Sequence, residues 1–121
     1  MALNLSKIST TFKRKVTLYI ATAKGTDDMV TINCDFLRWT KNEVQAVQDA
    51  LDSAASNDER ELIIINTLGD VWKGWDVVDD NGPKPFNRES QEELFNVLPG
   101  AMIEVFLAWV KGCSGRDRKN V

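Results

Sequence analysis

Cys34 and Cys113 are the only thiols in the 121-residue chain, and no histidine accompanies them. Without histidine there is no Ser-His-Asp or Cys-His nucleophile system and no zinc site with an imidazole ligand. Two thiols are too few for a four-thiolate zinc or iron–sulfur site. The run after Met1 is Ser/Thr/Lys-rich rather than a secretory apolar segment, so a reduced cytosolic pair is expected. Asp79-Asp80-Asn81-Gly82 resembles part of a calcium loop. With Gly82 at loop position six, however, Val77 and Arg88 fall where calcium needs carboxylates. Asp58, Glu59 and Glu61, and again Glu89, Glu92 and Glu93, could be paired catalytic carboxylates. Each group sits at a predicted helix N-terminus, where the helix dipole alone accounts for it. Lys24-Gly25-Thr26 mimics the end of a phosphate-binding loop but lacks the upstream glycine and the crossover helix. No catalytic set, metal or cofactor is therefore expected.

Aromatic residues are the other chemical resource. Trp39, Trp72, Trp75 and Trp109 are many for this length. Helical spacing places three of them on inward stripes. Trp75 lies beside a polar turn, where it serves either the core or, as an anchor, a protein interface.

These residues need elements to hold them. Val16, Leu18 and Ile20 alternate with Thr17, Tyr19 and Ala21. Val30 and Ile32 do the same after turn residues 23–28, which predicts an antiparallel hairpin. Thr40-Lys41-Asn42-Glu43 is a capping box, with Val44, Val47 and Leu51 as the apolar face that follows. Asp58 is expected to cap a central helix carrying Leu62, Ile65, Leu68, Trp72 and Trp75 on one stripe, with Gly69 at a crossing or kink. Residues 79–83 make a tight turn, and Asn87 caps a helix that turns Leu94, Phe95 and Leu98 inward. A last helix spans residues 100–110, with Met102, Ile103, Phe106, Trp109 and Val110 inward and Gly112 as its C-cap. The fold expected is α+β and mostly helical: an N-terminal antiparallel hairpin, then about four helices. Residues 1–14 read as a flexible arm, 15–112 as one domain, and 113–121 as a flexible basic tail.

Net charge is −3, with 43% apolar residues, enough for one core. Charge is uneven, at +4 over residues 1–15, −10 over 16–110 and +3 over 111–121. Neither basic end interleaves aromatics with its cations, so both read as solvated ends rather than nucleic-acid arms. No apolar run approaches the ~18 residues of a membrane span. The hairpin's two edges, lined with alternating Val and Ile, invite self-association.

From Trp72 on, the order of motifs is distinctive. Trp72-Lys73-Gly74-Trp75 is followed by Val78, Asp80 and Gly82, then Pro85-Phe86-Asn87, then Glu89. A leucine-rich helix, Pro99, an apolar helix and Arg118-Lys119-Asn120 complete it. This half of the chain, residues 62–121, resembles the tail assembly chaperones of long-tailed bacteriophages. Asn87 stands where that family usually has Ser, a neutral exchange at an N-cap. Residues 1–40 carry no such mark.

The resemblance implies a non-enzymatic protein that binds the long tape measure protein before the tail tube polymerises around it. It implies work in the host cytoplasm, many copies, and absence from the finished virion. Trp72, Gly74, Trp75, Asp80, Gly82, Pro85 and Phe86 are the candidate interface or motif residues. It also implies two product lengths, the longer made by a −1 frameshift and able to recruit the tail tube protein. Arg118-Lys119-Asn120 is compatible with the slippery heptamer that such a shift needs. A head–tail connector or generic interaction module shares the composition, but a connector would stay in the particle.

Overall fold

A computed structural model describes residues 1–115. Arg118, Lys119 and Asn120 lie outside the described residues. The chain opens with a short 3-10 turn, Leu5–Lys7. The hairpin follows: β1 (Thr11–Ala21) pairs antiparallel with β2 (Asp27–Leu37), from Thr11 opposite Leu37 to Ala21 opposite Asp27. β1 thus begins inside the expected N-terminal arm. Strand period two turns Phe12, Val16 and Leu18 of β1, and Ile32, Cys34 and Phe36 of β2, toward the helices. At the tip, Gly25 takes φ +82° and Thr22 N–H donates to Thr26 O at 2.8 Å. Lys24-Gly25-Thr26 is therefore hairpin-loop chemistry.

Four helices complete the α+β fold: α1 (Lys41–Ser53), α2 (Asn57–Val71), α3 (Arg88–Val97) and α4 (Gly100–Ser114). The capping box forms as the sequence requires: Thr40 N–H donates to Glu43 Oε1 at 2.9 Å and Glu43 N–H to Thr40 Oγ1 at 3.3 Å. Asn87 caps α3, accepting from Ser90 N–H at 2.8 Å. Ser56, not Asp58, caps α2, accepting from Glu59 N–H at 3.2 Å. Asp58 stays in the first turn, where its charge still suits the dipole.

α2 is shorter than its apolar stripe predicts. It stops at Val71, and residues Trp72–Gly74 become β3, pairing with β2 at Phe36 opposite Trp72 and Asp35 opposite Gly74. The sheet order is β1-β2-β3. Pairing to an existing strand buries Trp72 and covers the edge of β2 at Asp35 and Phe36. The phase of α2 differs too: Ile64, Thr67, Leu68 and Val71 are buried, while Leu62 is 55% exposed. An apolar run in which every turn position is filled does not define its own inward face. Gly69 faces the exposed side; a Cβ there would meet only the Arg88 guanidinium, at 3.5 Å, so no crossing explains it.

α4 packs against β1. It runs past the expected stop: Gly115, at φ +72°, is the left-handed C-cap, and Gly112 is buried within the helix. A Cβ at Gly112 would lie 2.1 Å from the Phe12 ring, so the glycine is what lets helix and strand approach. Ile103, expected inward, is 42% exposed, while Met102, Phe106 and Trp109 are buried. Trp109 donates its indole N–H to Leu37 O at 2.9 Å. Arg38 donates to Ser9 O at 2.8 Å and Gly112 O at 3.3 Å, with its guanidinium 5.0 Å from the Phe12 ring centre. Burying one indole such as Trp109 contributes about 4–5 kcal/mol by area, as an upper figure. Among the described residues, no single helix is long and apolar enough to cross a membrane.

Candidate protein-binding surface

Both cysteines are free. Cys34 is fully buried, and burial pushes its thiol up to about 12; the Trp72 indole beside it works in the opposite direction. Cys113, half-buried at the end of α4, accepts from Trp39 N–H at 3.4 Å and is also raised, chiefly by burial. Both shifts disfavour the thiolate, the nucleophilic form of the side chain. Lys24-Gly25-Thr26 closes a hairpin; Asp58 and Glu59 sit in the first turn of α2 and Glu89 in that of α3, while Glu61, Glu92 and Glu93 lie further along those helices.

The aromatic residues do build something. Trp72, Trp75 and Phe86 form a closed triangle of edge-on contacts. Trp72 to Trp75 is 5.5 Å between ring centres, and Trp72 to Phe86 and Trp75 to Phe86 are each 5.4 Å, with interplanar angles of 77–79°. Phe95 of α3 stacks on Trp72 at 6.0 Å. Edge-to-face pairs are worth about 0.5–1.5 kcal/mol each beyond their buried area. The knot thus ties β3, the segment before α3, and α3 itself together.

Between Trp75 and Phe86 the chain makes a second, two-rung hairpin. β4 (Val78–Asp79) pairs with β5 (Gly82–Pro83). Asp79 accepts from Asn81 N–H at 2.8 Å, and Gly82 adopts φ +108°, a conformation L side chains rarely take. The base of this hairpin is held by Trp75, which donates its indole N–H to Lys84 O at 2.9 Å, and by Lys84 N–H to Val77 O at 2.8 Å. Lys84 pairs with Glu93 of α3 and, at 3.6 Å, with Asp79. Its ammonium pKa is raised, first by the hydrogen bond to Glu93.

Hairpin and α3 enclose a shallow groove of about 210 Å³. Trp75, Val77, Val78, Leu94 and Val97 line it, and Asp79, Lys84 and Glu93 add the charge. Val78 is 66% exposed and Val97 72%, high for β-branched apolar side chains on facing elements.

The structure brings Trp72, Trp75 and Phe86 into contact and places Asp80 and Gly82 at the hairpin turn. Gly74 has another duty: opposite Asp35, it leaves room for that carboxylate, which a Cβ would meet at 2.7 Å. Pro85 is exposed beside Phe86. Sequence reasoning named Val78 in the motif order without giving it a binding role, and did not single out Val97. The signal for Val78 was present, in the β-branched pair Val77-Val78 directly before turn residues Asp80-Asn81-Gly82. Nor did it single out Asp76, which accepts from Asn33 N–H at 2.8 Å and from the Asn33 side-chain amide at 2.6 Å. Those two bonds hold its carboxyl below the usual range.

A family model described as phage tail assembly chaperone matches residues 1–120, which includes the N-terminal hairpin. No curated protein and no solved structure matches the chain.

Proposed function

Since the chain belongs to the phage tail assembly chaperone family, we propose that its groove between the β4–β5 hairpin and α3 binds the tape measure protein during tail assembly. The observation that carries this reading is the exposed apolar groove over a rigid aromatic base. An apolar stripe of a helical partner can lay two or three side chains onto Val78, Leu94 and Val97, while the Asp79–Lys84–Glu93 charges meet its polar flank. The work is binding, without catalysis: apolar surface of a long partner is covered until the tail tube takes its place.

Family resemblance extends the reading. The chaperone acts in the host cytoplasm, in many copies, and leaves before the virion is complete. A frameshift-extended form carrying residues past Asn120 recruits the tail tube protein. These steps predict that mass spectrometry of purified virions finds no copies of the chain.

The direct test is co-purification with the tape measure protein. Val78→Asp and Val97→Asp alter exposed side chains, so the fold should survive. Capture of the tape measure protein should fall at least tenfold, about 1.4 kcal/mol. Full capture by a folded Val78→Asp, Val97→Asp double variant would remove the groove from this role.

A further inference from the structure

We propose that the cleft between the end of α2 and the start of α3 is a binding site for the acidic side chain of a partner peptide. The cleft holds about 340 Å³, and Gly69, Lys73, Phe86, Arg88 and Gln91 are among the residues lining it. It shares no lining residue with the groove beside the β4–β5 hairpin. Gln91 is the first sign of a ligand. The residue is only 6% exposed, yet its side-chain amide has no hydrogen-bond partner among the described residues. An unpaired buried amide costs folding free energy, so such groups are nearly always satisfied. What little of Gln91 stays open faces this cleft. Gly69 is the second sign. Glycine inside a helix forfeits helix propensity. No crossing requires it here, and a Cβ would meet only the Arg88 guanidinium, at 3.5 Å. The missing side chain keeps the floor of the cleft at backbone level, where a ligand can come close.

Charge selects the ligand. Lys73 and Arg88 are both exposed, and no carboxylate lines the cleft. Lys73 has no ion-pair partner among the described residues. Arg88 reaches Glu92 only through Nε, at 3.7 Å, which leaves the terminal nitrogens of its fork unpaired among the described residues. The first turn of α3 adds the positive end of a helix, and Glu89 in that turn does not line the cleft. A carboxylate can accept from Arg88 and Lys73 at once. The methylene stem of an acidic side chain then rests on the half-buried Phe86 ring, a contact for which a terminal carboxylate has no stem. Gln91 decides between a peptide and a free anion. Its amide needs an acceptor for its N–H and a donor for its oxygen. A peptide supplies both, through the carboxylate and a neighbouring backbone N–H, whereas sulfate supplies acceptors only.

The test needs no tape measure protein, so it can fail apart from the groove reading. The full isotope-labelled chain is titrated with acetyl-Leu-Glu-Leu-amide and with acetyl-Leu-Gln-Leu-amide and followed by NMR. The Gln91 side-chain amide and the Arg88 Nε–H signals should move along one saturable curve, with the Glu peptide binding roughly tenfold tighter than the Gln peptide. Gly69→Ala adds a methyl group that the fold has room for and the helix favours, and it should weaken the Glu peptide roughly tenfold by filling the cleft. Arg88→Gln should do the same, and it carries the test should Gly69→Ala misfold. Several results would overturn the proposal. They are equal binding of the two peptides, the same shifts from sodium sulfate or from acetyl-Leu-Gln-Leu with a free C-terminus, shifts confined to Val78 and Val97, or native binding by Arg88→Gln. So would the absence of any shift at Gln91 up to about 20 mM peptide.

Discussion

At the scale of single residues, the cysteines and Asp76 make opposite uses of hydrogen bonds and burial. Cys34 sits in an apolar layer that disfavours its thiolate, and its pKa is pushed up to about 12. Iodoacetamide at neutral pH should leave Cys34 unmodified in the folded chain and react with Cys113 slowly. Both should be alkylated in denaturant, as peptide mass spectrometry can verify. Asp76 works the other way, because two donations from Asn33 favour its ionised form. A carboxyl lowered on folding adds stability above its unfolded pKa, and that stability is lost as pH falls through the folded value. The chain should therefore lose this contribution in acid, below about pH 4. Asp76→Asn should be less stable at neutral pH and converge with the native chain in acid, as read by tryptophan fluorescence.

At the scale of elements, close approach and aromatic contact decide where strands and helices lie. Gly112→Ala would gain roughly 1 kcal/mol of helix propensity. It would also force the Phe12 ring away from a contact too short to keep, and overpacking typically costs about 1–3 kcal/mol. A net loss of stability is expected in denaturant titration, with Phe12→Leu restoring part of it. Phe86→Ala removes one corner of the aromatic triangle. Phe86 is half-buried, so the expected loss is about 2–3 kcal/mol, below the about 3–5 kcal/mol of a fully buried Phe. Local signals were legible at this scale. The hairpin's alternation, the Thr40–Glu43 box, the Asn87 cap and the turn before Gly82 all depend on neighbours in sequence. The errors lie where distant residues intervene. Trp72 leaves a helical pattern because Phe36 offers it a strand to pair with, and Gly112 was read as a cap because Phe12 is a hundred positions away. The groove was partly visible: Trp75 and Leu94 stood out, but Val97 becomes a wall only when the hairpin folds against α3.

At the scale of the whole molecule, the division of surfaces is simple. The groove lies on the β4–β5 hairpin and α3, while α4 packs on β1, at the other edge of the sheet from β3.

Arg38 touches Ser9 O and Gly112 O with one guanidinium, which places the start of β1 and the end of α4 at one pole. The order of the sequence is then separable from the order of the fold. A circular permutant that starts at Thr26, runs through Ser114 and a short glycine linker into Ser9, and ends at Gly25 should reach the same structure. Its new ends fall in an exposed loop, where such cuts are tolerated best. Native-like circular dichroism and cooperative unfolding would confirm it, and would free that pole of any covalent end without moving a single core contact.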